Sequence, residues 1–220
     1  MVKLGNPKNA FWEAFLIAIV VFVLGLLLGI AYENSNLNKI DDYYTQSEIT
    51  MIDFLVLNSV IDIGESNCDF LEKSIFDFAD RIYWESITLE KYEDSEQISD
   101  SMKLAHKKYD VLRTFLWVNS IDLNKRCESN FSTLVYLYEY ESEDLTKRAT
   151  NSVWSKIIFD LKQKKGDNVL LIPIAVDNKL NSLKSMTQKF NITEYPVLII
   201  NNEIVIDELK TIEDIQTYLN

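Results

Sequence analysis

The spacing of hydrophobic and polar positions changes character three times along the chain. From Ala14 to Tyr32 there is no period at all: 19 consecutive residues, AFLIAIVVFVLGLLLGIAY, carry no charge. At about 1.5 Å of rise per helical residue, such a run matches a bilayer core of roughly 30 Å. A backbone surrounded by hydrocarbon must satisfy its own amides, so a lone segment crosses only as a helix. Trp12 and Tyr32 stand near its two ends, where amphipathic rings favour the interface. The pattern predicts a short tail over 1–13 and a transmembrane helix over 14–32. A cleaved leader would have an apolar run of about 7–15 residues and a small-x-small cleavage site. This run is longer and leads into Glu33-Asn34-Ser35-Asn36.

Lys3 and Lys8 precede the run, while Glu33, Asp41 and Asp42 follow it. The positive-inside rule then predicts a single-pass protein of the cell membrane with a cytoplasmic amino terminus and an extracytoplasmic bulk. Within the run, Gly25 and Gly29 form GxxxG, and Ala14 and Ala18 repeat the small-residue spacing. Such positions let two helix backbones approach closely, which makes a homodimer through this helix an expectation.

Between Leu37 and Cys127 there is no proline and one glycine, Gly64, and apolar residues recur at helical spacing. Three helices are predicted in this helical stalk, 33–129. The first runs from about Leu37 to Asp62, carries Ile40, Tyr44, Met51, Leu55 and Asn58 on one side, and ends at Gly64. Ser66 or Asn67 would cap the second. Its seam, Cys68, Leu71, Ile75, Phe78, Ile82, Glu85 and Leu89, alternates by three and four, as does Ile98, Met102, Ala105, Tyr109, Leu112, Leu116, Asn119 and Leu123 in the third, which ends at Cys127.

The polar stretch Glu93-Asp94-Ser95-Glu96 between them predicts an antiparallel hairpin. Leu71 with Leu123, Phe78 with Leu116 and Leu89 with Ala105 are then paired symmetrically about position 97. Cys68 and Cys127 then meet at the open end. Outside the cytoplasm they would form a disulfide closing a loop of about 60 residues, contributing about 4 kcal/mol by loop-closure entropy. A redox pair would sit close in sequence as CxxC. Two cysteines and one histidine in the chain are a poor metal set.

From Phe131 the pattern alternates strands and helices. Ser132–Tyr140 and Asn168–Val176 read as buried strands, and Pro173 confines where the second can pair. Helices are predicted from about Glu143 to Lys164, with Val153, Ile157, Ile158 and Leu161 inward and Gly166 as the end, and over Leu180–Phe190. Pro196–Ile200 and Glu203–Asp207 flank a turn at Asn201-Asn202. A last helix over Thr211–Leu219 opens with Thr211 and Asp214 at capping-box spacing. The fold class is therefore α+β with a membrane anchor, a helical hairpin and a C-terminal α/β domain over 130–220.

The order βαβαββα, carried by LVYLYEY, LLIPIAVD and NITEYPVLIINNEIV, resembles the thioredoxin-like fold family. The whole chain also resembles uncharacterised archaeal single-pass proteins that join a helical stalk to an outer thioredoxin-like domain. The resemblance spans Phe131 to Asn220 and places Pro196, after Tyr195, where that family has a cis-proline. An X-Pro bond is otherwise trans in most cases, so both isomers stay open. The family's oxidoreductases carry CxxC just after the first strand. Here that stretch is Ser142-Glu143-Asp144-Leu145, and a serine cannot supply the thiolate that exchange requires. The resemblance implies the fold and a peptide groove at Tyr195, Pro196 and Ser142, without catalysis.

Other chemistry is sparse. No GxGxxG or GxxxxGK[ST] occurs. His106, the only histidine, lies off the helical seam and is expected exposed. Glu139, Glu141, Glu143 and Asp144 form an acidic loop whose spacing fits no EF-hand. Asn130 and Asn191 head sequons and are candidate glycosylation sites. Beyond the apolar run, 20 basic residues face 33 acidic ones, a formal charge of −13. That excludes nucleic acid as a natural partner. No cofactor is expected. The reading is a membrane-anchored, non-catalytic binding or assembly module whose protein partner is unspecified. Its rivals are a thiol oxidoreductase accessory using Cys68 and Cys127 or a CxxC partner, and a membrane-complex subunit docked through its stalk.

Overall fold

The computed structural model describes residues 7–61, 67–93, 100–127, 129–140 and 142–219. Gly64, Ser66, the turn at 94–96, Ile98 and Glu141 lie outside them, as do the side chains of Tyr32, Ile40, Tyr44, Met51, Leu55, Asn58, Leu89 and Met102. Residues 1–49 and 50–220 form two compact units.

Helix α1 runs unbroken over Pro7–Ile61. Within it, Phe11–Ile30 is long and apolar enough to cross a membrane, with a mean hydropathy of 2.8 and no buried residue. Phe11, Trp12 and Phe15 cluster at its start, with ring centroids 5.9–6.4 Å apart.

The second unit is mixed α/β. Helix α2, Cys68–Glu93, starts where predicted: Asn67 accepts from the backbone N–H of Phe70 through Oδ1, at 3.3 Å, and from that of Leu71 through its carbonyl, at 3.1 Å. Helix α3 spans Asp100–Cys127. The disulfide joins Cys68, the first residue of α2, to Cys127, the last of α3, so the two helices run antiparallel. The seam is as read, with Leu71, Ile75, Phe78, Ile82, Leu112 and Leu116 all buried. The final turns of α1 add a residue the pattern did not single out. Phe54 is buried, stacked on Phe78 at 4.9 Å and edge-on to Phe115 at 5.9 Å. Arg81 donates to the Thr50 hydroxyl beside it.

Strand β1, Ser132–Tyr138, is followed by helix α4, Leu145–Lys165, which Asp144 caps by accepting from the N–H groups of Thr146 and Lys147. Gly166, at φ 57°, ends α4 in the left-handed region that glycine tolerates and leads through a 3₁₀ turn into β2, Val169–Ala175. Helix α5 covers Asn181–Lys189. Strands β3, Val197–Ile200, and β4, Ile204–Ile206, form the expected hairpin, with Asn201 and Asn202 both at positive φ. The capping box of Thr211 and Asp214 opens α6, Ile212–Gln216, as its spacing predicts.

The sheet order is β2-β1-β3-β4, with β1 and β2 parallel and β3 antiparallel to both its neighbours. Side chains alternate across it. Leu134, Tyr136, Leu198 and Ile200 pack with Trp154, Ile158 and Leu161 of α4 and Ile215 of α6. Ile158 and Leu161 are buried as expected and Ile157 is half-buried, whereas Val153, expected inward, is 47% exposed and its neighbour Trp154 is fully buried instead.

Helix α3 differs most from its sequence reading. Besides the seam, it buries Asp110, Thr114, Trp117 and Ser120 on a second face that packs on β2 and α5. Trp117 stacks on Phe190 at 5.4 Å and donates from Nε1 to Oδ1 of Asn202 at 2.7 Å. The hairpin therefore shares its core with the sheet.

Strand β2 is an edge, and its outward backbone groups are handled residue by residue. In a parallel pair both polar groups of a residue point to the same side. The N–H of Val176 bonds to the carbonyl of Tyr138, which turns the even residues inward and the odd ones outward. Outward Pro173 has no N–H, the N–H of Ala175 donates to Asp110 Oδ1 at 3.0 Å, and the carbonyl of Val169 accepts from Lys162 Nζ at 2.9 Å. Proline and side-chain cover are established means of blunting an edge.

Candidate functional site

Three connections meet at the carboxyl ends of the parallel strands: β1–α4, β2–α5, and Tyr195-Pro196 leading into β3. The ladder from β1 to β3 ends at Leu137 and Val197, one residue short of Pro196. The Tyr195–Pro196 bond is cis. In open α/β sheets this end is where ligands bind.

Tyr195 lines a groove of about 400 Å³ with Val176, Lys179, Leu180, Leu183 and Lys184. Two lysines border it, and no carboxylate is among the residues that line it. Tyr195 and Pro196 are half-buried. Ser142 is also half-buried, on the β1–α4 connection, and does not line this groove. The structure thus brings Tyr195 together with α5 and the β2–α5 turn rather than with Ser142. Lys179 could not be found by periodicity, because its position follows from a turn in which it adopts φ 51°.

The β1–α4 loop is held by its own carboxylates. Glu139 pairs with Lys147 at 3.1 Å, and Asp144 is committed to capping α4. Asn151 accepts from the Tyr136 hydroxyl and donates to the Glu139 carbonyl at 2.9 Å. Burial, and then the neighbouring Tyr138, push the Tyr136 phenol well above its ordinary pKa. Among the described residues no cluster of three or more His, Cys, Asp or Glu could hold a metal ion.

Sequence reasoning did not find Asp110. Its carboxylate is buried on α3 and accepts from the Ala175 N–H and from Asn178 Nδ2, while Arg113 approaches at 3.5 Å. Burial raises its pKa above the usual carboxylate range; Arg113, the two hydrogen bonds and His106 oppose that rise without cancelling it. One turn away, His106 is half-buried and its ring lies 4.6 Å from that of Tyr140, so the exposed position expected for it is not what the packing gives. The signal was an acid one turn from a histidine. On a charged helix, that pattern reads as solvated surface.

Of the remaining candidate residues, Asn130 and Asn191 are exposed, and a Cβ built at Gly25 or Gly29 meets nothing within 4 Å. Cys68 and Cys127 are both in the disulfide. The fold and site define a mixed α/β unit with an edge-blunted sheet, a cationic groove at its carboxyl end and a candidate membrane span in the same chain. No family model and no curated protein matches it.

Proposed function

We propose that the chain is a single-pass membrane protein, cytoplasmic at its amino terminus, whose extracytoplasmic part is a non-catalytic binding or assembly module with a thioredoxin-like domain. The observation that carries this reading is the sheet order β2-β1-β3-β4 with antiparallel β3, which places Tyr195-Pro196 beside the ends of β1 and β2. At the position of the family's CxxC stands the Ser142–Leu145 stretch, in which Asp144 serves as a helix cap. Both cysteines are committed to the hairpin disulfide, so thiol exchange by this domain would need a partner's thiol. An extended acidic segment fits the groove: its main chain lies beside the Tyr195 turn and its carboxylates meet Lys179 and Lys184.

The test is a photo-crosslinking residue at position 195 in native membranes, with the same residue at exposed Phe70 on α2 as comparison. A discrete adduct from position 195, lost in Lys179→Glu with Lys184→Glu, is the expected result. An adduct from position 70 alone would replace this reading with a subunit docked through the hairpin. Insulin reduction abolished by Cys68→Ser would replace it with an oxidoreductase.

A further inference from the structure

Separate from the groove, a cavity of about 260 Å³ lies where α2, α3 and α4 close over the edge of β2. Its floor is Leu171 to Pro173, the part of the edge that neither Lys162 nor Asp110 covers. Phe76, Tyr83, Trp84 and Phe159 form its apolar walls. Trp84 is 65% exposed and Phe159 42%, so the aromatic lining continues out to the mouth. Arg113, Lys162 and Asp80 also line it, two cations against one acid in a chain whose net charge is −12.

The two cations differ in what they offer. Lys162 Nζ donates to the carbonyls of Gly166 and Val169 at 2.9 Å each and sits over the Phe76 ring at 5.1 Å. Its hydrogens are largely spent on the backbone, and it contributes charge and stem. Arg113 has a side chain only 11% exposed, and its contact with Asp110 is long, at 3.5 Å. A guanidinium carries five donors in a planar fork, a shape that matches a carboxylate. Arg113 is thus a desolvated fork beside an aromatic chamber.

We infer that this cavity is a binding site for a small organic carboxylate with a flat apolar body, the carboxylate on Arg113 and the body among Phe76, Tyr83 and Trp84. The volume falls just below the roughly 300–1,000 Å³ typical of small-molecule sites, which sets the body at one or two rings. A peptide strand is the poorer occupant. Pro173 lacks a donor, and the Ala175 N–H and Val169 carbonyl are already engaged, so the edge cannot pair with several consecutive residues. An anion here would also favour the Lys162 ammonium, whose pKa burial lowers against the pull of Asp167 and Asp80.

The experiment is calorimetric titration of the full chain in nanodiscs with 2-naphthoate, and with 2-naphthylmethanol as the uncharged control. Saturable single-site binding of the carboxylate is expected, with affinity about tenfold or more weaker in Arg113→Met, the loss of one charge-assisted contact. Ala79→Phe, which fills the chamber from α2 and leaves both cations in place, is expected to abolish it. Quenching of Trp84 fluorescence in the native chain, absent in Trp84→Phe, would place the probe. The inference is overturned if no saturable binding occurs, if the alcohol binds as tightly as the carboxylate, or if Ala79→Phe binds like the unmodified chain.

Discussion

Asp110 ties two parts of the second unit together through one carboxylate. Its Oδ1 takes the edge N–H of Ala175, and its other oxygen takes Asn178. Asp110→Ala leaves a buried amide without its acceptor and is expected to cost about 1–3 kcal/mol. Asp110→Asn keeps an oxygen for Ala175, and a flipped Asn178 amide restores the second bond. The two variants therefore separate the hydrogen bond from the charge. The pH dependence has a definite sign. Because burial raises the folded-state pKa, the folded chain binds a proton that the unfolded chain has released, so stability is greatest below the ordinary carboxylate range and falls as pH rises through the raised value. Urea midpoints from pH 4 to 8 are expected to show this fall in the native chain and a flatter curve in Asp110→Asn. Parallel curves would show that the carboxylate does not titrate in the folded state as its burial requires.

The helices and strands fall into two groups by how their positions were encoded. The α2–α3 seam, the Asn67 cap, the glycine end of α4, the Asn201-Asn202 turn and the Thr211 capping box were legible because each depends on neighbours within a few residues. Phe54 and the second face of α3 were not. Asp110, Thr114 and Ser120 carry polar atoms, and only packing against the β2 edge, distant in sequence, turns that row inward. Val153 and Trp154 show the same limit on a smaller scale, since either one extends the apolar stripe of Ile158 and Leu161. The groove was half legible: the proline segment marked Tyr195, while Lys179 and Lys184 joined it through a turn and a helix that no local pattern connects. The disulfide acts at the element scale as well. It closes the hairpin across a separation of 59 residues, and its removal by Cys68→Ser with Cys127→Ser is expected to lower stability by about 4 kcal/mol. Denaturant unfolding measures this; a loss below about 1 kcal/mol would mean that core packing against β2 already holds the open end.

For the molecule as a whole, the candidate membrane span offers a test that its own chain does not confound. A Cβ at Gly25 or Gly29 meets nothing within 4 Å, so leucine there starts without a clash and replaces glycine by a better helix former. Any drop in crosslinked dimer yield then reports on association between copies, and an unchanged yield removes the dimer expected from GxxxG. The blunted β2 edge bears on association in another way. A sheet polymerises only if it has two usable sides, one to give and one to receive. With β2 plugged by Pro173, Lys162 and Asp110, a second copy could add only along three-residue β4, and addition there would end with two chains. Growth of copies into a fibril is thereby stopped at the second chain.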